Sequence, residues 1–185
     1  MKRRALFALP LVLPTVPSLA ALLSGGELAA GPATGILVAA GQDRFGKSFE
    51  YLGARFDLKV SGQDSNGALS IYDTTRFEKT GPSLHTHTNL DEWFFVTAGT
   101  FKFQVGTELF HLKAGDSLFG PRNVPHAFVK TSEEPGRLVI IHSPAGTMEA
   151  YFFEARQQQN PTPADRDALM RKHRMIPVGP RLSPD

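Results

Sequence analysis

Two separated segments of the chain carry three histidines and one glutamate in a spacing suited to a shared metal ion. The first segment holds His85, His87 and Glu92, and the second holds His126. In an extended strand, residues i and i+2 point to the same side, so His85 and His87 can direct both rings at one point. A turn over residues 89–91 would place Glu92 at the head of the next strand. Three neutral imidazoles and one carboxylate suit a divalent transition metal that keeps exchangeable positions.

The second segment strengthens this interpretation. An isolated H-x-H pair is common on exposed strands and does not by itself indicate a metal site. Here, Gly115, Pro121 and His126 follow one another between apolar alternations that are typical of a small barrel. We therefore predict four metal ligands, which are His85, His87, Glu92 and His126.

The donor set leaves the identity of the metal open. Fe, Mn, Ni, Co, Cu and Zn as divalent ions all accept imidazole and carboxylate donors, and their affinity order alone does not select one. A structural zinc site would more often be closed and tetrahedral with thiolates. The chain contains no cysteine, which excludes thiolate ligands and disulfides.

Several polar residues near these motifs have ordinary explanations. His111 alternates out of phase with its apolar neighbours and should be exposed. His142 ends an apolar strand and should be a wall residue rather than a fifth ligand, and His173 should cap a helix. Asn89 and Asp91 are near enough in sequence to accept a hydrogen bond from a ligand ring, although Asp91 fits a solvated turn better.

Short runs of alternating apolar and polar residues recur along the chain, separated by glycine and proline. Beside the strand that carries the two histidines, strands are predicted over residues 55–61, 68–74, 92–97, 101–105, 108–112, 117–119, 127–131 and 138–142. Many short strands at near-regular spacing indicate an all-β sandwich or barrel.

The interior of this barrel is expected to be rich in aromatic side chains, because 14 of the 185 residues are Phe. Ordinary core packing is the first explanation for them, and lining of a ligand pocket is the second. The residues concerned are Trp93, Phe101, Phe103, Phe119 and Phe128. A metal at the end of an aromatic pocket would suit a flat phenolic or enolic substrate.

The C-terminal part changes to a helical period. Apolar residues over 148–155 are spaced i, i+3, i+4 and i+7, which predicts one or two helical turns, with an extended edge strand as the alternative. Thr162, followed by Pro163 and Asp165, predicts the start of a second helix. This helix should cover an open face of the barrel or of a partner.

The first metal motif resembles that of the cupin superfamily, which reads approximately G-(x)5-H-x-H-(x)3–4-E-(x)6-G. The chain matches this pattern at His85, His87, Glu92 and Gly99. The leading glycine departs from it, because Gly81 stands only three residues ahead of the first histidine.

The second cupin motif, G-(x)5-P-x-G-(x)2-H-(x)3-N, is matched at Gly115, Pro121 and His126. Asn123 replaces the inner glycine, and asparagine is the best substitute where φ is positive. Lys130 replaces the final asparagine. The resemblance implies an all-β fold, the cupin double-stranded β-helix or jelly-roll barrel, with its metal inside one mouth and a short C-terminal helix.

The resemblance covers roughly residues 55–155 and also implies a function. With the segment 178–180 after the terminal helix, the chain is similar to single-domain bacterial cupins that resemble quercetin 2,3-dioxygenase. This implies a metal-dependent dioxygenase whose phenolic or enolic substrate binds the metal as an anion. Glu92 would then be the catalytic base as well as a ligand.

Other functions stay open at this stage. The same ligands serve metal-assisted isomerases, lyases and decarboxylases, and many cupins hold a small ligand or a metal ion without turnover. A non-catalytic periplasmic binding protein is therefore an alternative. Because cupin barrels frequently pair, the resemblance also implies a homodimer.

The N-terminus predicts export. A basic segment over residues 1–4 precedes an apolar run that ends at Leu23, and the small residues Ser18 and Ala20 predict cleavage after Ala20. Three prolines argue against a stable membrane span, although an uncleaved anchor is the alternative. Arg3 and Arg4 faintly resemble a twin-arginine signal. We predict a signal peptide over 1–20, a flexible linker over 21–42, the cupin barrel over 43–160, and a C-terminal helix and tail over 161–185, in a periplasmic or secreted protein.

The charge of the chain argues against a nucleic-acid partner. The whole chain carries 20 Lys and Arg against 18 Asp and Glu, a formal charge of +2. Removing the three basic residues of segment 1–20 leaves 17 against 18, a charge of −1. Since no basic stripe or helix-turn-helix pattern accompanies it, a small-molecule substrate is the expected partner.

Overall fold

The computed structural model describes Pro32 and residues 34–185 of the chain. The predicted signal peptide and half of the predicted linker therefore lie outside the described residues. Within the described part, no helix combines the length and the apolar character needed to cross a lipid bilayer.

Strands of the described residues form two antiparallel sheets. In spatial order, the first sheet contains β1 (Phe49–Tyr51), β2 (Ala54–Val60), β3 (Ser70–Arg76), β10 (Gly136–Ser143), β5 (Asp91–Ala98) and β8 (Ser117–Gly120). The second contains β11 (Met175–Arg181), β4 (Ser83–His87), β9 (His126–Lys130), β6 (Thr100–Val105) and β7 (Glu108–Lys113). This confirms the predicted all-β jelly roll.

Alternation along the strands decides which side chains enter the barrel. In β3 every second residue is buried, from Ser70 to Arg76. In β10 and β5 the inward positions pair in register, so that Ile140 lies opposite Phe94 and Leu138 opposite Val96. Successive side chains of a strand point to opposite faces, and each sheet therefore presents one apolar face to the other.

One end of the barrel is filled with side chains. Its cluster of buried residues consists of Phe94, Val96, Phe101, Phe103, Leu112, Phe128, Leu138 and Ile140. The rings of Phe103 and Phe128 lie 5.2 Å apart, and those of Phe94 and Phe103 lie 5.0 Å apart. Such tilted aromatic pairs add packing energy beyond their buried area.

Two helices cover the other end. Helix α1 (Met148–Ala155) is a helix rather than the alternative edge strand, and α2 (Pro163–Lys172) begins where the sequence predicts. The Thr162 hydroxyl accepts a hydrogen bond from the Asp165 backbone N–H, and the Asp165 carboxylate accepts one from the Thr162 N–H. This capping box satisfies two donors that the first helical turn leaves unpaired.

The structure differs from the sequence-based expectations in the C-terminal tail, at Phe119 and at Trp93. The predicted C-terminal tail contains strand β11, which pairs with β4 despite Pro177 and Pro180. Phe119 does not line the barrel, because its side chain is 55% exposed on β8. Trp93 also alternates outward and stacks on Phe95 at 5.7 Å. Phe101, Phe103 and Phe128 are buried, as core packing predicts.

Two backbone positions near the site need particular residues. Asn123 has a φ of +63°, as expected where asparagine replaces a motif glycine. Gly81, before β4, packs so closely on β9 that a Cβ atom would lie 1.8 Å from the Phe128 carbonyl oxygen. Only glycine permits this approach, which holds β4 against β9.

Candidate metal centre

The four predicted ligands come together inside the barrel. His85 on β4 lies directly opposite His126 on β9, and His87 follows two residues later on the same face. Glu92, the second residue of β5, reaches them from the facing sheet. One donor atom of each residue lies within 4.8 Å of all the others, and all four residues are buried.

The spacing of the donor atoms fits one ion. The Nε2 atoms of His85 and His87 are 3.2 Å apart. Glu92 Oε2 lies 2.7 Å from His126 Nε2 and 3.3 Å from His87 Nε2. Donors at about 2.1 Å from a common ion are separated by about 3.0 Å at right angles and about 3.4 Å at the tetrahedral angle. The residues present can therefore hold a divalent transition metal.

Backbone carbonyls orient two of the imidazole rings. His85 Nδ1 lies 2.8 Å from the Ser83 carbonyl oxygen, and His126 Nδ1 lies 3.1 Å from the Val124 carbonyl oxygen. A carbonyl can only accept a hydrogen bond, so Nδ1 donates in both rings. In its neutral form, each ring then directs the lone pair of Nε2 toward the shared point, as in metal-bound histidines.

Asp91 and Asn89, which lie near the ligands in sequence, do not accept a hydrogen bond from a ligand ring. Asp91 points away from the centre and binds Arg122, with Nη2 2.6 Å from Oδ2. The Asn89 Oδ1 atom is buried without a hydrogen-bond partner among the described residues. The orienting groups are carbonyls, which no side-chain motif can reveal.

The electrostatics of the cluster favour the protonation states that metal ligands need. Burial, with the neighbouring His126 and His87, lowers the pKa of His85 to about 3. Burial also lowers the pKa of His87, against the opposing charge of Glu92. Burial alone would raise the pKa of Glu92, but the surrounding histidines hold it well below its usual range.

His126 behaves differently from the other two ligand histidines. Burial alone would lower its pKa, but the hydrogen bond to Glu92 and the charge of that carboxylate raise it above its usual value. Both ring nitrogens of His126 face acceptors, the Val124 carbonyl at Nδ1 and Glu92 Oε2 at Nε2, an arrangement that favours the protonated ring when no metal is bound. A cation at this point would take the place of the shared proton.

His142 belongs to the site, although the sequence indicated only a wall residue. Its ring is buried, and Nε2–H donates to Glu92 Oε1 at 2.9 Å. In the neutral ring, Nδ1 then accepts a hydrogen bond from the Ser70 hydroxyl at 3.3 Å. Ser70, His142 and Glu92 lie side by side on β3, β10 and β5. The order of these strands creates the contact, and the sequence carries no local signal for it.

The two remaining histidines lie where the sequence predicts. His111 is exposed on β7. His173 is the C-terminal cap of α2. Neither is part of the cluster that could hold a metal.

A cavity of about 320 Å³ lies between the ligand cluster and the C-terminal helices. His85, His87 and Glu92 line its inner end. Its walls are mainly apolar and aromatic and include Tyr51, Phe56, Phe128, Tyr151 and Phe152. Residues of α2 and β11 line the cavity as well. A small molecule in this cavity would therefore reach the ligand cluster through an aromatic enclosure.

A two-sheet β-barrel with three imidazoles and one carboxylate converging inside one mouth defines a jelly-roll protein with a candidate metal centre. The sequence model of the Cupin domain family matches residues 76–142, the segment that carries all four candidate ligands and His142. Over this segment the chain is thus similar to the Cupin domain family, and its two sheets form a jelly roll.

Solved structures are similar to this chain at low sequence identity. KdgF from Halomonas sp. has a TM-score of 0.52 and 18% identity, over 60% of this chain and 94% of that chain. An RmlC-like cupin from Shewanella frigidimarina has a TM-score of 0.46 and 25% identity, over 54% and 84%. A predicted oxalate decarboxylase from Thermotoga maritima has a TM-score of 0.47 and 17% identity, over 49% and 80%. No curated protein matches the sequence.

Proposed function

We propose that this protein is a metal-dependent dioxygenase that acts on a phenolic or enolic small molecule, with a chemistry similar to that of quercetin 2,3-dioxygenase. The observation that carries the proposal is the convergence of His85, His87, Glu92 and His126 at the inner end of an aromatic cavity. Four protein donors leave a six-coordinate ion two positions for exchangeable ligands.

The cavity supports the substrate class. A flat apolar ring suits a cavity whose lining includes Phe56, Phe128 and Phe152, and its binding would exclude water from the ligand cluster. When bound, a divalent transition metal supplies Lewis acidity for a phenolate or enolate oxygen and a template for the reactants. The protein contributes the position of the substrate and the dry surroundings in which these charges interact strongly.

Glu92 is the proposed proton acceptor. His142 holds its Oε1 at 2.9 Å, whereas Oε2 faces the other histidines and the cavity end. Because its pKa lies well below the usual range, Glu92 is a weak base while these contacts last. It therefore takes a substrate proton only as Oε2 gives up one of its present partners, a movement that the His142 hydrogen bond guides.

Oxygen uptake tests the proposal. The purified protein, reconstituted separately with iron, manganese, nickel, cobalt, copper or zinc, is mixed with quercetin in air. We expect at least one metal to give oxygen consumption coupled to loss of the flavonol absorbance, and the His85→Ala variant to give neither. Absence of oxygen uptake with all six metals on quercetin and related flavonols and catechols would count against a dioxygenase.

A second candidate is an oxygen-independent isomerase, lyase or decarboxylase. The row of Ser70, His142 and Glu92 favours it, because linked hydrogen bonds suit the proton transfers of such reactions. Turnover that persists without oxygen would select this class. Recovery of the bound compound unchanged in both atmospheres would select a non-catalytic binding protein.

We also propose that the protein is exported and that cleavage follows Ala20. The basic N-terminus and the apolar run after it support this. The mass of the protein isolated from the bacterial periplasm would test it, because retention of residues 1–20 there would contradict the proposed cleavage.

A further inference from the structure

Arg76 places a positive charge inside the cavity, away from the metal ligands along β3. It is the last residue of that strand and points inward, with 2% of its surface exposed. The side chain lines the same cavity as His85, His87 and Glu92. The proposed metal function does not use this residue.

The guanidinium has no carboxylate partner. Within residues 34–185, no salt bridge includes Arg76, and its Nε atom is buried without a hydrogen-bond partner. Four other arginines of this range, all more exposed, each pair with an aspartate: Arg44, Arg55, Arg122 and Arg137. Arg76 is thus more buried than these four arginines, yet no carboxylate among the described residues neutralises its charge.

Two aromatic rings hold the guanidinium in place. Its Cζ atom lies 4.5 Å from the centre of the Phe128 ring and 5.4 Å from that of Phe56. Cation–π contacts of this kind offset only part of the desolvation of a buried charge. They leave the edge of the guanidinium, with its N–H donors, available to an anion in the cavity.

Arg76 nevertheless remains charged near neutral pH. Burial lowers its pKa to about 9, while the charge of Glu92 acts in the opposite direction. With a divalent ion on three neutral imidazoles and one carboxylate, the ligand cluster carries a formal charge of +1. Arg76 adds a buried positive charge at a separate point of the cavity, which suits a ligand with two anionic groups. The other charged residues of the lining, Arg166, Asp167 and Arg181, are half-buried or exposed.

We propose that Arg76 binds a carboxylate of the substrate through a forked hydrogen-bond pair, while phenolic or enolic oxygens of the same molecule face the metal ligands. Within the proposed phenolic or enolic class, aromatic or enolic carboxylic acids are therefore the preferred substrates, and neutral flavonols are weaker ones. This inference rests on the proposed metal-centred function for the other end of the molecule. A guanidinium is the side chain best matched to a carboxylate, because its planar donors pair with both oxygens.

Binding to the zinc-loaded protein without oxygen tests the inference independently of turnover. The probes are catechol and three acids that add a carboxylate at increasing distance: 3,4-dihydroxybenzoate, 3,4-dihydroxyphenylacetate and 3,4-dihydroxycinnamate. Titration calorimetry measures each affinity. We expect at least one acid to bind the wild type about 10-fold to 100-fold more tightly than catechol, as a charge-assisted hydrogen-bond pair provides.

Three variants identify the source of this preference. Arg76→Met keeps the length of the side chain and should reduce the preference to within about 2-fold, with zinc content unchanged. Arg76→Lys keeps the charge without the fork and should retain part of it. Arg137→Met removes an exposed arginine that pairs with Asp73 on the outer face and should leave the preference intact.

Two results would overturn the inference: no acid preferred over catechol by the wild type, or an equal preference in Arg76→Met. If Arg76→Met fails to fold, Arg76→Lys provides the test. Full retention of the preference for the acid over catechol in Arg76→Lys would refute the forked contact. Loss of zinc binding by the wild type would instead refute the proposed function. The two failures are therefore distinguishable by metal content alone.

Discussion

His142 and Glu92 face each other across β10 and β5, and the imidazole Nε2–H donates to the carboxylate Oε1 at 2.9 Å. The opposite oxygen of the same carboxylate faces the ligand histidines. His142 is thus placed to orient a metal ligand without being one. Groups that orient metal ligands typically change metal affinity by 10-fold to 100-fold when removed.

The first prediction concerns this positioning role. His142→Phe should fill the same space but leave Glu92 without its orienting donor, and the zinc dissociation constant should rise about 10-fold to 100-fold. Competition with a chromogenic chelator measures the constant. His111→Phe, at an exposed site on β7, is the matched control and should leave it unchanged. Equal affinities for all three proteins would show that His142 is only a wall residue.

The second prediction concerns the ligands themselves. His85→Ala or His126→Ala should lose most of the bound metal by elemental analysis, while circular dichroism shows that the fold survives. Metal at 100 times its dissociation constant should stabilise the wild type by about 2.7 kcal/mol, and should stabilise neither variant to this extent. Unchanged metal content in both variants would refute the assigned ligands.

The third prediction concerns pH in the metal-free protein. The pKa of His85 is lowered to about 3 from an ordinary value of 6.5, chiefly by burial. Below pH 6.5 the unfolded chain therefore binds a proton that the folded protein does not, and stability falls as pH decreases. Between pH 7 and pH 5.5 this single group should remove about 1 kcal/mol.

Urea denaturation in a chelator checks this pH effect. The loss between the two pH values should be smaller by about that amount in His85→Gln, whose side chain does not titrate. An identical loss in the wild type and the variant would contradict a buried neutral ring at position 85.

The fourth prediction concerns Lys130, which stands where the cupin motif has asparagine. Its ammonium group is buried and donates to the carbonyl oxygens of Ser132, Glu133 and Glu134, at 2.8, 3.3 and 3.1 Å. Lys130→Met should lower the free energy of unfolding by about 2 kcal/mol, because hydrogen bonds of a charged donor are lost. Lys113→Met, at an exposed site, should have little effect, and both variants should keep their metal.

The fifth prediction concerns Gly81. A Cβ atom there would meet the Phe128 carbonyl oxygen at 1.8 Å, so that β4 and β9 must separate to admit it. Gly81→Ala should destabilise the protein by about 3 kcal/mol, the upper range for overpacking, and weaken metal binding as well. Gly35→Ala, with open space around it, is the control. A normal melting temperature for Gly81→Ala would refute the close approach.

Local patterns account for the parts of the fold that the sequence predicts. Apolar alternation identifies the barrel strands because inward and outward positions differ at every step. The H-x-H pair identifies one face of β4, and the spacing of Thr162, Pro163 and Asp165 identifies the start of α2. Each of these signals is formed by residues that lie within a few positions of one another in the sequence.

What the sequence does not predict depends on contacts between distant elements. Nothing near His142 indicates that β10 will lie beside β5, and nothing near Arg76 indicates an enclosed guanidinium. The two prolines of β11 made a strand unexpected there. They are tolerated because β11 pairs with a neighbour on one edge only, so that the backbone N–H groups that proline lacks are not needed. Phe119 is apolar but points outward. The sequence does not predict this direction, because the edge strand β8 is too short to show a clear alternation of apolar and polar residues.

The pairing of β11 with β4 has a consequence for biosynthesis. The strand that carries His85 and His87 has β9 on one side and receives its other neighbour only from residues 175–181. While those residues are still within the ribosome, two of the four donors sit on an unprotected sheet edge. The candidate ion pocket is thus complete only once β11 has docked against β4.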